Sequence, residues 1–292
     1  MNRTTRAAVA AQTLERLEAG GYENARGQWV DLREAQEAAV RDSVLYRPGT
    51  DEELQERAAA RLQERECSGF HTPARIELTP ETTLAAAYRC CREDGEPAAC
   101  LNFASAKNPG GGFLGGSQAQ EESLARASGL YPCIVQMGEM YEYNRGRRTA
   151  LYSDYMIYSP GVPVFRDDED RLLPEWYLAA FITAPAVNAG VVREREPEAE
   201  AQIGPVMRSR IRRILYAALL HGHRTVVLGA YGCGVFRNRP DEVAVWFRQV
   251  LEEEAFADAF SRIVFAVYDR SAGQATWKAF EREFGGMVSP LD

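Results

Sequence analysis

The chain has 292 residues, of which 46% are hydrophobic and 26% are charged, a composition that suits one large globular domain or a domain with an extension. Its 34 basic and 42 acidic residues give a formal charge of −8, so nonspecific binding to nucleic acid is not expected. An anionic ligand would have to be bound by local backbone amides and a few basic side chains.

The six cysteines form no CxxC pair, and there are only three histidines, so we expect neither a metal nor a cofactor. The first 21 residues are too charged for a signal peptide, and no apolar run reaches membrane-spanning length. We therefore expect a cytoplasmic, monomeric protein with reduced thiols and no membrane contact.

The N-terminal part of the chain is predicted to be mainly helical. Residues 4–17 have helical spacing that ends at Gly20 and Gly21, residues 29–31 are extended, and 32–40 and 51–65 follow as charged amphipathic helices. No Ser/Gly/Pro-rich linker comes after them. We predict that residues 1–73 form a helical extension packed on a core domain of residues 74–292.

From Arg75 onward, strands and helices alternate. The predicted strands are 76–78, 98–103, 155–160, 176–184, 225–229 and 263–267, and the predicted helices begin at Thr79, Ser117, Pro205, Pro240 and Gln274. Residues 176–184 form an apolar run without charge, which suits a central strand covered on both faces. The pattern predicts a three-layer α/β domain with a mixed sheet.

A glycine-rich loop followed by an acidic helix is the most informative stretch. Gly110, Gly111 and Gly112 have no Cβ, so their backbone N–H groups can approach a phosphate or diphosphate closely. Ser117 is predicted to cap a helix whose first turns carry Gln120, Glu121 and Glu122. Acids are also common at helix N-termini for electrostatic reasons, so it is the combination with a buried strand before the loop that favours a functional site.

The two acids can border one pocket with different roles. Successive helical residues point about 100° apart, so Glu121 and Glu122 do not aim along one line. One can orient a substrate hydroxyl while the other transfers a proton. Bound phosphates and a second carboxylate would favour the protonated form, as a general acid requires.

A second glycine loop, residues 230–238, follows the strand 225–229, so the two loops could hold one diphosphate from opposite sides. Thr183 and Asn188 come after another strand and can contact ligand or satisfy a local turn. Cys233 lies between Gly232 and Gly234, where close backbone approach explains a small residue better than a nucleophile does.

Two alternatives stay open around these loops. Phe236 either stacks on a ribose or base or packs in the core. The tyrosine-rich residues 131–155, expected to be irregular, either cover the edge of the core or form a wall of the cleft, with Arg147 or Arg148 contacting phosphate.

The spacing of Gly110–Gly112, seven intervening residues and then Gln120–Glu122 resembles the glycine and glutamate signature of poly(ADP-ribose) glycohydrolases. The segments LNFASAKNPGGGF, ITAPAVNAG and GAYGCGVFRN are similar to the bacterial-type branch of that family, over most of the chain. The resemblance implies a macrodomain-like three-layer α/β/α fold with a mixed central sheet and an N-terminal helical extension.

The resemblance also implies hydrolysis of the ribose–ribose bond of poly(ADP-ribose), with the polymer or an ADP-ribosylated protein as substrate and ADP-ribose as product. It implies that Glu122 is the acid and base and that Glu121 holds a ribose hydroxyl. The implied substrate-binding residues are Asn108, Gly110, Gly111, Gly112, Gln120, Thr183, Gly232, Cys233, Gly234, Val235 and Phe236. The alternatives are a non-catalytic ADP-ribose-binding macrodomain and a mono-ADP-ribosyl hydrolase.

Overall fold

The central feature of the computed structural model, which describes residues 1–67, 74–253 and 256–286, is a seven-stranded mixed sheet. The strands are β1 (Gly21–Glu23), β2 (Trp29–Asp31), β3 (Val44–Tyr46), β4 (Arg75–Thr79), β5 (Ala99–Phe103), β6 (Met156–Arg166), β7 (Leu172–Ala184), β8 (Thr225–Leu228) and β9 (Arg262–Ala266). Within the described residues, β1 and β2 pair with each other and with no other strand.

Helices cover both faces of this sheet. They are α1 (Arg3–Ala19), α2 (Arg33–Arg41), α3 (Asp51–Cys67), α4 (Thr83–Asp94), α5 (Gln120–Ala127), α6 (Leu130–Val135), α7 (Gly138–Gly146), α8 (Ala189–Arg195), α9 (Ile203–Leu220), α10 (Pro240–Glu253), α11 (Phe256–Ala259) and α12 (Ala275–Phe284). Two short 3₁₀ helices span Phe113–Gly115 and Pro197–Gln202.

The strands run in the order β3-β6-β7-β5-β8-β9-β4. β7, β5, β8, β9 and β4 are mutually parallel, whereas β6 is antiparallel to both β7 and β3. The carboxyl ends of the parallel strands therefore share one edge, which we call the carboxyl edge. β5 pairs with β7 along its whole length but with β8 only at Ala99 and Cys100, so β5 and β8 separate before this edge.

Alternating side chains of the sheet supply two cores. Leu101 packs in a cluster with residues of α3, α8, α9, α10 and α12, while Cys100, its neighbour in β5, packs in a cluster with α2, α4, α5, α6 and α7. This alternation is expected for strands covered on both faces. The predicted three-layer, macrodomain-like α/β/α fold with a mixed sheet and an N-terminal helical extension is confirmed.

The N-terminal helices begin and end where their sequence allows. Asn2 accepts a hydrogen bond from the Thr5 backbone at 2.8 Å, and Gly20 ends α1 with a φ of +79°. β3 follows α2 and forms the edge strand beside β6, so residues before position 73 take part in the main sheet. The predicted domain boundary at residue 73 itself lies outside the described residues.

Three local predictions were wrong. Residues 131–155, expected to be irregular, contain most of α6 and the whole of α7. Thr82 caps α4 in place of Thr79, because the Thr82 hydroxyl accepts from the Ala85 N–H. Ser117 does not cap α5, whose N-cap residue is Ala119.

Candidate active site

The first glycine loop leaves the carboxyl end of β5 and folds back on itself before α5. The Gly111 N–H donates to the Asn108 carbonyl at 2.9 Å, and the Phe113 N–H donates to the Gly110 carbonyl at 3.0 Å. Gly110 and Gly111 have φ values of +68° and +58°, a region that favours glycine. The turn therefore depends on the residue type that the sequence supplies there.

Glu122 lies directly beneath this turn. Its Oε1 accepts a hydrogen bond from the Gly112 N–H at 2.9 Å, and the residue is 8% exposed. A Cβ on Gly111 would stand 2.5 Å from the same Oε1, so any larger residue would force the carboxyl group of Glu122 to shift. The predicted neighbourhood of the glycines and the acid pair is present in the structure.

Glu121 is more deeply buried, at 3% exposure. Its Oε2 accepts from the Ser105 N–H at 2.7 Å, and its Oε1 lies 3.5 Å from Asn102 Nδ2. Burial, with a smaller contribution from the charge of Glu122, raises the pKa of Glu121 to about 8. Burial therefore favours the protonated form of Glu121.

Asn102 and Thr183 support Glu121 from below. Asn102 Nδ2 donates to Thr183 Oγ1 at 3.0 Å, and both residues are fully buried on the paired strands β5 and β7. Direct ligand contact by Thr183 stays a prediction, since its side chain has no exposed surface in this structure. Asn102 was not among the predicted residues, although an amide within the apolar run of β5 could have indicated it.

Gln120 fills the gap that opens between β5 and β8. Its Oε1 accepts from the Phe103 N–H at 2.8 Å, and its Nε2 donates to the Leu101 carbonyl at 2.7 Å. The side-chain amide thus takes the place of a neighbouring strand where β8 has moved away. A further bond to Thr83 Oγ1 joins α5 to α4, so Gln120 holds the start of α5 beside the sheet.

The second glycine loop leaves β8 at the same edge. Gly232 has a φ of +72°, and a Cβ there would stand 2.5 Å from both Ala186 Cβ and Asn238 Nδ2. Gly234 has no atom within 4 Å of an added Cβ, and Val235 is 78% exposed. The loop is therefore anchored at its base and open at its tip.

Cys233 and Phe236 lie on this second loop and are both half-buried. Burial raises the pKa of the Cys233 thiol well above its ordinary value, which opposes a role as thiolate nucleophile. The Phe236 ring packs against the main core and lies 5.8 Å from the Tyr152 ring, between centroids. Its predicted contact with ribose stays a prediction.

Helix α1 braces the first glycine loop from outside. Arg3 Nε donates to the Gly115 carbonyl and Arg6 Nε to the Gly116 carbonyl, each at 2.8 Å. Gly116 has a φ of +69°, and a Cβ there would stand 2.1 Å from the Arg3 carbonyl oxygen. The sequence predicted that this helix packs on the core, but nothing in its periodicity indicated contact with the glycine loop.

A cavity of about 750 Å³ lies along the carboxyl edge beside the acid pair. Its lining at the sheet comes from the ends of β5, β8 and β9 and from the first residues of α4 and α5, including Phe103, Gln120, Ala230, Tyr268 and Thr83. Glu121 and Glu122 do not line it, so they adjoin the cavity and do not form its floor. Apart from Gln120, which the sequence had indicated, these lining residues come from separate segments that sequence spacing did not connect.

The fold and the site together define a macrodomain-like α/β protein with a buried acid pair beside a cavity of nucleotide size. Among the described residues, no cluster of three or more His, Cys, Asp or Glu side chains is placed to hold a metal ion. No helix in the described part of the chain is both long and apolar enough to cross a membrane.

Comparison with known proteins agrees with this class. The family model of the microbial-type PARG catalytic domain matches residues 10–167, more than half of the chain. The chain therefore belongs to the microbial-type PARG catalytic domain family. A search of curated proteins found no match.

Solved structures show the same relationship. The poly(ADP-ribose) glycohydrolase of Thermomonospora curvata bound to the inhibitor ADP-HPD is 46% identical, with a TM-score of 0.86 over 97% of this chain and 100% of that one. The poly(ADP-ribose) glycohydrolase of Deinococcus radiodurans in complex with ADP-ribose is also 46% identical, with a TM-score of 0.78 over 86% of this chain and 97% of that one.

Proposed function

We propose that this protein hydrolyses the O-glycosidic ribose–ribose bond of poly(ADP-ribose) and releases ADP-ribose. The observation that carries the proposal is the position of Glu122, held by the Gly112 N–H directly under a glycine turn that only glycine can form. The nucleotide-sized cavity beside it supplies room for the rest of an ADP-ribose unit. Membership of a glycosidic hydrolase family supports the same reaction.

In this arrangement the adenosine occupies the cavity and the diphosphate lies between the two glycine loops. The backbone N–H groups of Gly232 and of Gly234–Phe236 face the ligand without needing basic side chains, whereas those of Gly111 and Gly112 are bonded to the Asn108 carbonyl and to Glu122. The distal ribose then lies over Gly111, beside Glu122. Asn108 and Phe236 fix the orientation of this ribose.

The chemistry uses one carboxyl group twice. Glu122 gives its proton to the bridging oxygen, the C–O bond to the distal ribose breaks, and the electron pair of that bond leaves with the oxygen. The ionised Glu122 then takes a proton from a water molecule that bonds to the oxocarbenium-like carbon. ADP-ribose and a polymer one unit shorter result, and Glu122 is protonated again.

Glu121 and its supports position the sugar. As a neutral acid at pH 7, Glu121 can exchange hydrogen bonds with a ribose hydroxyl without adding a second charge. Gln120 and Thr183 act on this pair through their contacts with the ends of β5 and β7. We place them as positioning residues, with direct ligand contact still to be tested.

The decisive experiment compares the native protein with Glu122→Gln. Release of ADP-ribose from purified poly(ADP-ribose) and calorimetric binding of ADP-ribose are measured for both. We expect the variant to lose activity by about 1000-fold, because general acid–base catalysis is removed, while it keeps its affinity for ADP-ribose. Full activity of the variant would overturn the mechanism.

The same assay separates the other candidate functions. Binding of ADP-ribose without hydrolysis by the native protein would indicate a non-catalytic reader. Hydrolysis confined to a protein that carries a single ADP-ribose would indicate a mono-ADP-ribosyl hydrolase. The buried acid pair favours hydrolysis, since a reader needs only the glycine loops.

We also propose a monomer that works in the cytoplasm, with residues 1–73 as an extension of a catalytic domain of residues 74–292. Five unpaired cysteines in the described part of the chain support a reducing compartment. Gel filtration with light scattering tests the oligomeric state.

A further inference from the structure

A basic and aromatic surface lies at the mouth of the site, on the side away from the cavity. We call it the basic rim, and its residues are Lys107, Tyr143, Arg145, Arg147, Arg148 and Tyr152. The cavity lies over β5, β8 and β9, whereas the rim is built from the loop after β5, from α7 and from the segment before β6. Lys107 of the rim comes just before the first glycine loop, and Gln120, next to the acid pair, lines the cavity.

A chain of contacts connects the rim to both glycine loops. Arg145 Nη1 donates to the Lys107 carbonyl at 2.6 Å, just before the first loop. Lys107 Nζ lies 5.9 Å from the centroid of the Tyr152 ring, and that ring lies 5.8 Å from the ring of Phe236 in the second loop. The rim therefore contacts both glycine loops at the entrance of the site.

Tyr152 and Arg147 in the rim have unusual local features. Tyr152 has a φ of +59°, a conformation that is strained for a non-glycine residue and that here places the ring between Lys107 and Phe236. Arg147 stacks 5.7 Å from the Tyr143 ring centroid, and its buried Nε has no hydrogen-bond partner among the described residues. Arg148 is exposed.

The rim is positive although the protein carries a formal charge of −8. Two nearby acids are already engaged, since Glu139 pairs with Arg47 and Asp154 pairs with Arg210. The exposed Glu142 lies on α7, with Oε1 directed back toward Gly138 at the start of that helix. The local field at the mouth therefore favours an anion.

We propose that the basic rim binds the part of poly(ADP-ribose) that leaves when the bond is cut. This proposal rests on the proposed function and adds a second subsite to it. With one ADP-ribose unit in the cavity and loops, the next unit emerges on the side of the rim. Each such unit offers a diphosphate for the arginines and an adenine for the tyrosine rings.

The test compares two substrates that differ only beyond the scissile bond. One is purified poly(ADP-ribose), and the other is an aryl glycoside of ADP-ribose, in which nitrophenol replaces the polymer. The rim variant is Arg147→Gln with Arg148→Gln. The matched control is Arg92→Gln with Arg282→Gln, the same change in net charge at exposed positions in the last turns of α4 and α12.

For the rim variant we expect kcat/KM on the polymer to fall about ten-fold because KM rises. We also expect kcat/KM on the polymer to depend less on salt concentration than it does for the native protein. Its kcat/KM on the aryl glycoside should stay within about two-fold of the native value, and the control should match the native protein on both substrates. Equal losses on both substrates, or no loss on the polymer, would overturn the proposal.

Two further measurements keep the test decisive. Arg148→Gln alone, at an exposed position, should lower kcat/KM on the polymer about three-fold if the double variant does not fold. If the native protein cleaves neither substrate, the proposed function fails, but binding still tests the rim. The rim variant should then bind long polymer about ten-fold more weakly and ADP-ribose equally well, and equal binding of both would overturn the proposal.

Discussion

The two glycine loops sit at the same edge of the sheet but differ in how firmly they are held. In the first loop, an added Cβ would meet Glu122 at Gly111, Ser117 at Gly112 and the backbone of α1 at Gly116, each within 2.5 Å. In the second loop only Gly232 is confined in this way, while Gly234 faces open space. The loop that covers the acids is fixed, and the other is free at its tip.

This difference agrees with the separate tasks proposed for the loops. A group that transfers a proton must already be in place, because small displacements cost large factors in rate. A loop that holds a diphosphate through backbone N–H groups can adjust to the ligand. The first loop is accordingly bonded to α1, to Glu122 and to its own turns, as the structure shows.

The largest effect is expected from Gly111→Ala. The new methyl group would collide with Glu122 Oε1 at 2.5 Å, and alanine is strained at a φ of +58°. We expect kcat for polymer hydrolysis to fall about 1000-fold, because the acid is displaced, with a smaller change in thermal stability. A variant with native kcat would show that the first loop does not need its close approach to Glu122.

The next largest effect is expected from Gly116→Ala, which disrupts the contact between α1 and the first glycine loop. Alanine would meet the Arg3 carbonyl at 2.1 Å, so the helix must move. We expect the free energy of unfolding to fall by about 2 kcal/mol and kcat to fall about ten-fold. Gly115→Ala is the control, since its Cβ would lie 3.5 Å from Arg3 Nη2, and it should unfold like the native protein.

How far the sequence predicts these contacts depends on their separation along the chain. Gly111 and Glu122 are joined by one loop and one helix turn, so spacing alone indicated that they are neighbours. Gly116 and Arg3 are joined only by the tertiary fold, and periodicity does not show which loop a helix will cover. β3 was missed for the same reason, because its three residues pair with β6 more than 100 positions later.

Other differences between the predicted and the observed structure arise because a residue makes a tertiary contact in place of its expected local role. Ser117 has the right residue type for a cap, but its Oγ would lie 2.2 Å from a Cβ on Gly112, so it packs under the loop and Ala119 precedes the helix. His221 follows the last turn of α9, where burial lowers its pKa to about 4 and it hydrogen-bonds Tyr46 as a neutral ring. Burial is not visible in local sequence.

A smaller effect, on stability, is expected from the pH dependence of Glu121. Its folded pKa of about 8 lies above the ordinary value of 4.5, so unfolding releases a proton between these pH values. The stability that Glu121 contributes is therefore full below pH 4.5 and is lost as pH rises toward 8. The substitution Glu121→Gln removes this pH-dependent loss of stability, because glutamine does not ionise.

We expect the variant to match the native protein in urea denaturation at pH 4.5 and to exceed it by about 1 kcal/mol or more at pH 8. Equal stability at both pH values would show that Glu121 is ionised when folded, and the first loop would then cover two charges. Asp269→Asn is a suitable control, because half-buried Asp269 has its pKa lowered by hydrogen bonds to Ser271 and should give no gain at pH 8.

The smallest effect is expected from Gly234→Ala in the second loop. An added Cβ has no atom within 4 Å, and this glycine does not have a positive φ, so alanine is compatible with the native backbone. We expect kcat to stay within about two-fold and the free energy of unfolding to change by less than about 0.5 kcal/mol. Steady-state kinetics and ADP-ribose calorimetry check both the chemistry and the affinity. If this variant instead loses affinity strongly while keeping its stability, the tip of the second loop must close tightly on the diphosphate.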